Sequence, residues 1–332
     1  FNGTSMASPQ AAGAAALLVS AATQEGLDIH WGMVKRALIA GARRVDGLEL
    51  NTQGGGLVNV PASWPVLRDL AASDSARQVL WYHVETACPF QDDGLASAAY
   101  WRVPGGAPTA PERIGFDVTP IFHPDLGPDQ RDRFMRAFSF RSEADWLDVV
   151  TGKDYIRGES PVTVRVTYDP DLRDRPGHHA ARVIASQTGG DLGGLAAREF
   201  SLWNTVAVGE PLSVANGFSR TWTGDDLPAS WVHRHYVDVP AGATAMRVRL
   251  EVSEDVGAGE GARVLTEICD PEGRVRGGWG GYADPREHPI RDLTVTPPEL
   301  FPGTWEINVV SAIGALEDGA YRLTVSCDGY QT

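Results

Sequence analysis

The hydrophobic period of this chain changes near residue 68, from a helical spacing to a two-residue spacing, which constrains it to a helical segment followed by β-structure. The first helix is predicted from Ser5 to about Thr23, where alanine dominates with Leu17, Leu18 and Val19, and Pro9 falls in the first turns, where a missing N–H costs least. A second is predicted from about Ile29 to Arg44. Trp31, Val34, Leu38, Ile39 and Ala42 form its apolar stripe, and Lys35, Arg36 and Arg43 take the polar surface. The run Gln53-Gly54-Gly55-Gly56-Leu57-Val58-Asn59-Val60-Pro61-Ala62 reads as a glycine turn, a short apolar strand and a proline-started last helix.

Beyond this point alternation takes over. Val162, Val164, Val166 and Tyr168 alternate with Thr163, Arg165 and Thr167, and the same period recurs at Met246 to Val252, Trp305 to Val309 and Tyr321 to Cys327. Turns fall between them at Pro240-Ala241-Gly242, Asp270-Pro271-Glu272-Gly273 and Pro302-Gly303. Short strands with regular turns predict all-β sandwiches of Ig-like or jelly-roll type. The expected organisation is a helical part of a larger domain at 1–68, a connector at 69–111, a first β-sandwich at 112–205 and a second at 206–332. In the connector, Arg77 to Val84 alternates only weakly and Pro104-Gly105-Gly106-Ala107-Pro108 reads as a link.

The balance of 43 acidic against 29 basic residues, a formal charge of -14, repels a polyanion and argues against nucleic acid as a partner. The most apolar stretch, Ala11 to Ala22, falls short of the ~20 residues of a membrane span, so no membrane is expected. Cys88, Cys269 and Cys327 are too scattered for a disulfide framework or a zinc knuckle. One Cys269–Cys327 bridge is left open because both residues end strands of the last domain; free buried thiols are the alternative. No metal or cofactor is expected. His178 and His179 are adjacent and would point to opposite faces of a strand, His233 and His235 share a face but read as structural, and Asp92, Asp93, Asp125 and Asp129 lack calcium-loop order. His30 and His83 read as surface or capping residues. Trp81, Trp101, Trp203, Trp222, Trp231 and Trp305 suit a core better than a ligand platform.

One motif carries chemistry. In Asn2-Gly3-Thr4-Ser5-Met6-Ala7-Ser8-Pro9, followed by an Ala/Gly-rich helix, Gly3 permits a sharp turn and close substrate approach, while Ser5 sits where free N–H groups and the helix dipole favour a developing oxyanion. Helix capping by Thr4 or Ser5 is the plainer reading. The complete run resembles the catalytic-serine signature of subtilases, the subtilisin-like serine peptidases of S8 type, and Gly54 to Val60 resembles the end of their α/β catalytic domain. Arg113 to Phe122 and Arg234 to Thr244 look like segments of the tripeptidyl-peptidase II branch, and the last domain is also similar to jelly rolls appended to secreted bacterial peptidases.

The resemblance implies peptide-bond hydrolysis through an acyl-enzyme on Ser5, with Gly3 and Thr4 contacting a peptide or protein substrate. It also implies that the triad His and Asp and the oxyanion Asn are encoded upstream of Phe1, that Asn2 is not that Asn, and that residues 1–332 alone are inactive. The upstream part of the domain is the expected partner, and homo-oligomerisation is left open. A cytoplasmic setting follows from the tripeptidyl-peptidase II resemblance. The alternatives are a secreted subtilase with jelly-roll domains and a catalytically dead binding module.

Overall fold

The computed structural model describes residues 3–103, 113–150, 154–277 and 281–329. Asn2 of the serine motif and the Pro104–Pro108 link lie outside the described residues. The chain is mostly β-strand with a few helices, and it divides into two compact units. One comprises Phe1–Tyr100, Glu112–Pro170 and Ala180–Thr205; the other comprises Trp101–Pro111, Asp171–His179 and Val206–Thr332.

The helices are α1 (Thr4–Gln24), α2 (Trp31–Gly41), α3 (Leu50–Gln53), α4 (Val60–Ala72), α5 (Asp74–Gln78) and α6 (Pro128–Asp132). In the first unit the strands run β1 (Val79–Ala87), β2 (Leu95–Ala96), β3 (Ala98–Val103), β4 (Arg113–Phe122), β5 (Met135–Ser142), β6 (Leu147–Val149), β7 (Tyr155–Arg157), β8 (Val162–Tyr168), β9 (Gly177–Thr188) and β10 (Arg198–Val208). Strand ends aside, they form two five-stranded sheets of this unit, β2-β1-β4-β8-β6 and β3-β10-β9-β5-β7. β4 shows why: Ile114, Phe116, Val118, Pro120 and Phe122 are buried in strict alternation, so one face of the strand is apolar throughout. Tyr82 on β1 meets Phe138 on β5 and Phe200 on β10 at ring-centroid distances of 5.8 and 5.0 Å, which joins the two sheets through one aromatic core. The weakly alternating Arg77–Val84 segment thus includes the start of a core strand, its burial pattern interrupted by a register shift between Val79 and Trp81.

In α2 the buried residues are Gly32, Met33, Val34, Ala37 and Gly41, whereas Trp31 and Ile39 are 54% and 48% exposed. Of the stripe expected from side-chain size, Val34 and Leu38 pack while Trp31 and Ile39 do not, and the buried face turns instead toward Gly32, Met33, Ala37 and Gly41. The reason is close approach. A Cβ on Gly32 would stand 1.9 Å from Leu80 O on β1, and one on Gly41 would stand 2.6 Å from the Ser63 N–H nitrogen on α4. Met33, Val34 and Ala37 form one cluster with Leu18 and Ala22 of α1 and Val66, Leu67 and Leu70 of α4.

The glycine run ends this packing. Gly54 and Gly56 adopt positive φ of 57° and 117°. They return the chain so that Leu57 and Arg43 exchange backbone hydrogen bonds of 2.8 and 2.9 Å. The expected short strand shrinks to this single bridge, because Asn59 already caps α4 by accepting from the Ala62 N–H at 3.2 Å, with Pro61 in the first turn.

A buried ion cluster fastens the helices to the second sheet. Glu199 on β10 forms ion pairs with Arg36 on α2 and Arg136 on β5, each at 3.2 Å, accepting a hydrogen bond from Arg136, which also donates to Ser75 O and Tyr82 Oη.

The second unit holds β11 (Glu210–Pro211), β12 (Ser219–Leu227), β13 (Val232–Val239), β14 (Ala245–Glu251), β15 (Val264–Cys269), β16 (Val275–Gly277), β17 (Ile290–Val295), β18 (Gly303–Ser311) and β19 (Gly319–Asp328). These pair as β11-β13-β18-β15-β16 and β12-β19-β14-β17. One core draws on both sheets, with Val237, Ile268, Trp305 and Ile307 from the first and Met246, Leu250, Tyr321 and Leu323 from the second. All three cysteines are free and buried. Cys269 ends β15 in one sheet and Cys327 lies on β19 in the other, so the bridge left open by the sequence is not formed.

Candidate active site

Ser5 lies in the first turn of α1, one residue after Thr4 and two after Gly3. Gly3 precedes the helix at φ 133°, a region that side-chain-bearing residues rarely adopt, so the sharp entry into α1 depends on glycine. The backbone ladder opens with the Met6 and Ala7 N–H groups donating to Gly3 O at 3.0 and 3.1 Å. The Ser5 N–H therefore stands ahead of the ladder at the positive end of the dipole. Pro9, one turn on, withholds the donor that the Ser5 carbonyl would otherwise receive. Gly3, Thr4 and Ser5 are all exposed. The arrangement presents a hydroxyl and a backbone donor together, the pair an acyl-transfer site requires of its nucleophile position.

The histidines are engaged elsewhere. The His30 ring lies 3.2 Å from Ala76 O and 5.6 Å from the His123 ring centroid; burial, against the Ala76 hydrogen bond, lowers its pKa, and it precedes α2 without capping it. His83 approaches Glu85 at 3.4 Å and His123 approaches Asp125 at 3.6 Å. His178 stacks on Tyr236, and burial lowers its pKa to about 4; His179 bonds to Arg175 O. His233 and His235 do share a face, as their spacing predicts, and both reach the Tyr321 hydroxyl, at 3.0 and 2.9 Å. That hydroxyl is the common partner, and the two rings converge on it. Among the described residues no group of three or more His, Cys, Asp or Glu is placed to hold a metal.

Asp92, Asp93, Asp125 and Asp129 are exposed, Asp93 accepting from the Leu95 N–H within its turn. Trp305 is fully buried, its indole donating to Phe301 O at 2.9 Å, while Trp81 is 38% exposed beneath the Lys35 ammonium. Among the described residues no helix is long and apolar enough to cross a membrane. Sequence reading missed the Glu199 cluster. Its one signal was a string of arginines and glutamates on strands, which looks the same whether it is solvated or buried.

The model of the subtilase family matches residues 1–56, the segment that runs from the serine motif to the glycine turn. Pyrolysin of Pyrococcus furiosus is 27% identical over 264 residues, covering 74% of this chain and 17% of pyrolysin. Tripeptidyl-peptidase 2 of Drosophila melanogaster is 29% identical over 192 residues, covering 57% of this chain and 12% of that protein. The chain thus spans less than a fifth of the length of either relative. The crystal structure of tripeptidyl peptidase 2 (TPP II) superposes with a TM-score of 0.71 at 18% identity, over 99% of this chain and 26% of that one, so the fold is shared nearly end to end. Residues 1–56 thus match the subtilase family, and the chain as a whole is similar in sequence to pyrolysin and tripeptidyl-peptidase 2 and shares the fold of the corresponding part of tripeptidyl-peptidase II.

Proposed function

We propose that the intact protein hydrolyses peptide bonds through an acyl-enzyme on Ser5, in an arrangement like that of tripeptidyl-peptidase II. The observation that carries this reading is the position of Ser5 in a complete subtilase motif, at a helix start that only a glycine at φ 133° makes accessible. Ser5 Oγ attacks the scissile carbonyl while a histidine takes its proton. The Ser5 N–H donates to the oxyanion, and collapse of the tetrahedral intermediate expels the amine with that proton. Water then attacks the ester and regenerates Ser5. Gly3 and Thr4 border the substrate.

The histidine, its aspartate and the second oxyanion donor come from sequence outside these 332 residues. Support comes from the described histidines, whose partners lie elsewhere, and from α1, where Leu17 and Val19 are 62% and 44% exposed on a helix that the family packs inside its catalytic domain. The two pairs of sheets are proposed to be β-sandwiches that serve architecture or assembly.

The test is Ser5→Ala in the full-length protein, assayed on a chromogenic peptide. Removing the nucleophile of subtilisin costs about 10⁶ in kcat, and a loss of that order with an unchanged melting temperature is expected. Fluorophosphonate should label Ser5 and no other serine. Retained turnover, or a label that maps elsewhere, would move the site.

A further inference from the structure

The first unit keeps a local excess of positive charge in a chain whose formal charge is -14. Arg44, Arg182 and Arg141 all turn to Glu143, Arg182 at 2.9 Å and Arg141 at 3.9 Å, while Arg36 and Arg136 share Glu199. Two carboxylates thus face five guanidinium groups. Arg198, half-buried at the start of β10, is a further cation, and among the described residues its side chain has no ion pair and no hydrogen bond. Burial, then the charges of Arg182 and Arg141, lower its pKa, so an anion brought beside it would offset both penalties.

Arg198 lines a cavity of about 160 Å³, several times the ~30 Å³ that one water occupies in the liquid. Ser201 and Trp203, both half-buried, line it too, and among the described residues neither the Ser201 hydroxyl nor the Trp203 indole N–H has a hydrogen-bond partner. The Arg182 guanidinium, 5.2 Å from the Trp203 ring, adds charge beside them. Arg36 and Glu199 also border the cavity, but they are committed to each other and to Arg136 within its wall, so they contribute field and not contact. The open groups are therefore a guanidinium fork, a hydroxyl and an indole N–H, with no carboxylate free to accept. A monocarboxylate would occupy the fork alone. Three separately placed donors and charge beyond a single unit suit the three oxygens and nearly double charge of a phosphate group. Ile39, Ile184 and Phe200 complete the wall and leave an apolar seat beside it.

We propose that this cavity binds a phosphate monoester with a small apolar body. The phosphate oxygens accept from the Arg198 guanidinium, the Ser201 hydroxyl and the Trp203 indole N–H, and the carbon atoms lie against Ile39, Ile184 and Phe200. The site uses none of Gly3, Thr4 or Ser5 and stands independently of the activity proposed above.

Isothermal titration of the full-length protein with phenyl phosphate tests it, against three controls: phenol, which lacks the anion, benzoate, which offers two oxygens and one charge, and inorganic phosphate, which lacks the apolar body. Phenyl phosphate should bind at least about tenfold more tightly than phenol or benzoate, the difference a charge-assisted contact provides, and more tightly than inorganic phosphate. Arg198→Gln should weaken binding by about tenfold or more and leave the melting temperature unchanged or raised, since that arginine has no partner to lose and like charges around it. Arg198→Lys, which keeps the charge but not the planar fork, should fall between. Trp203→Phe, which keeps a ring beneath Arg182 and removes the N–H, should weaken binding without abolishing it. Any control binding as tightly as phenyl phosphate, or binding unchanged by Arg198→Gln, would overturn the proposal.

Discussion

Tyr321 has one hydroxyl proton and two histidines within reach of its oxygen. It can donate to one ring and accept from the other, and because it meets Nδ1 of His233 and Nε2 of His235, the cluster is satisfied with both imidazoles neutral and in the same tautomer. Burial lowers the His235 pKa to about 4, and His233 adds to the shift. The folded state thus holds its proton less tightly than the unfolded chain, whose histidine titrates near 6.5. The stability that follows is complete above that value and is lost as pH falls through the window from 6.5 to about 4, by on the order of 3 kcal/mol for this residue. His178, also near 4, acts in the same direction. Denaturant melts of the protein from pH 7.5 to 4 should therefore show the second unit weakening below pH 6.5, and His235→Asn should flatten that slope while lowering stability at neutral pH. An unchanged slope would place the titration elsewhere. The buried cysteines fit the same logic, since burial pushes the Cys269 and Cys327 thiols up to about 11, where thiolate is scarce.

At the scale of elements, α2 shows how a helix can be anchored by what it lacks. Gly32 lets β1 approach and Gly41 lets α4 approach, while Trp31 and Ile39 face outward. Gly32→Ala should improve intrinsic helix propensity yet destabilise the protein, because the new methyl has to displace the Leu80 carbonyl, a backbone atom of a paired strand. The expected net cost is about 1–3 kcal/mol, read as a lowered midpoint in denaturant. Gly13→Ala on α1, with nothing within 4 Å of its Cβ position, is the control that should be neutral or stabilising.

Across the whole molecule, each unit has a hydrophobic core of its own. One cluster unites Leu18, Met33, Leu67 and neighbouring residues in the first unit, and another runs from Leu212 to Cys327 in the second. Calorimetry should therefore resolve two transitions. Trp305→Ala, which empties the largest fully buried side chain, should cost the second unit about 3–5 kcal/mol and leave the transition of the first in place. A common shift of both transitions would show the units to be one cooperative body. The first unit also carries the Glu199 cluster, where losing the carboxylate would strand Arg36 and Arg136 as buried cations.

What could be read from the amino-acid order was whatever is local and periodic. The serine motif, the start of α1, the run from Gly54 to Asn59 and strands such as Val162–Tyr168 and Tyr321–Cys327 announce themselves, since turn chemistry, capping and alternation act within a few residues. Tertiary structure alone decided which apolar residues of α2 are covered, that Arg36, Arg136 and Glu199 meet in the interior, that one tyrosine serves two histidines, and that Cys269 and Cys327 lie in different sheets. Those outcomes depend on pairings between residues up to 163 positions apart, as with Arg36 and Glu199, and on how close two backbones come. Neither quantity is written in the spacing of neighbouring residues.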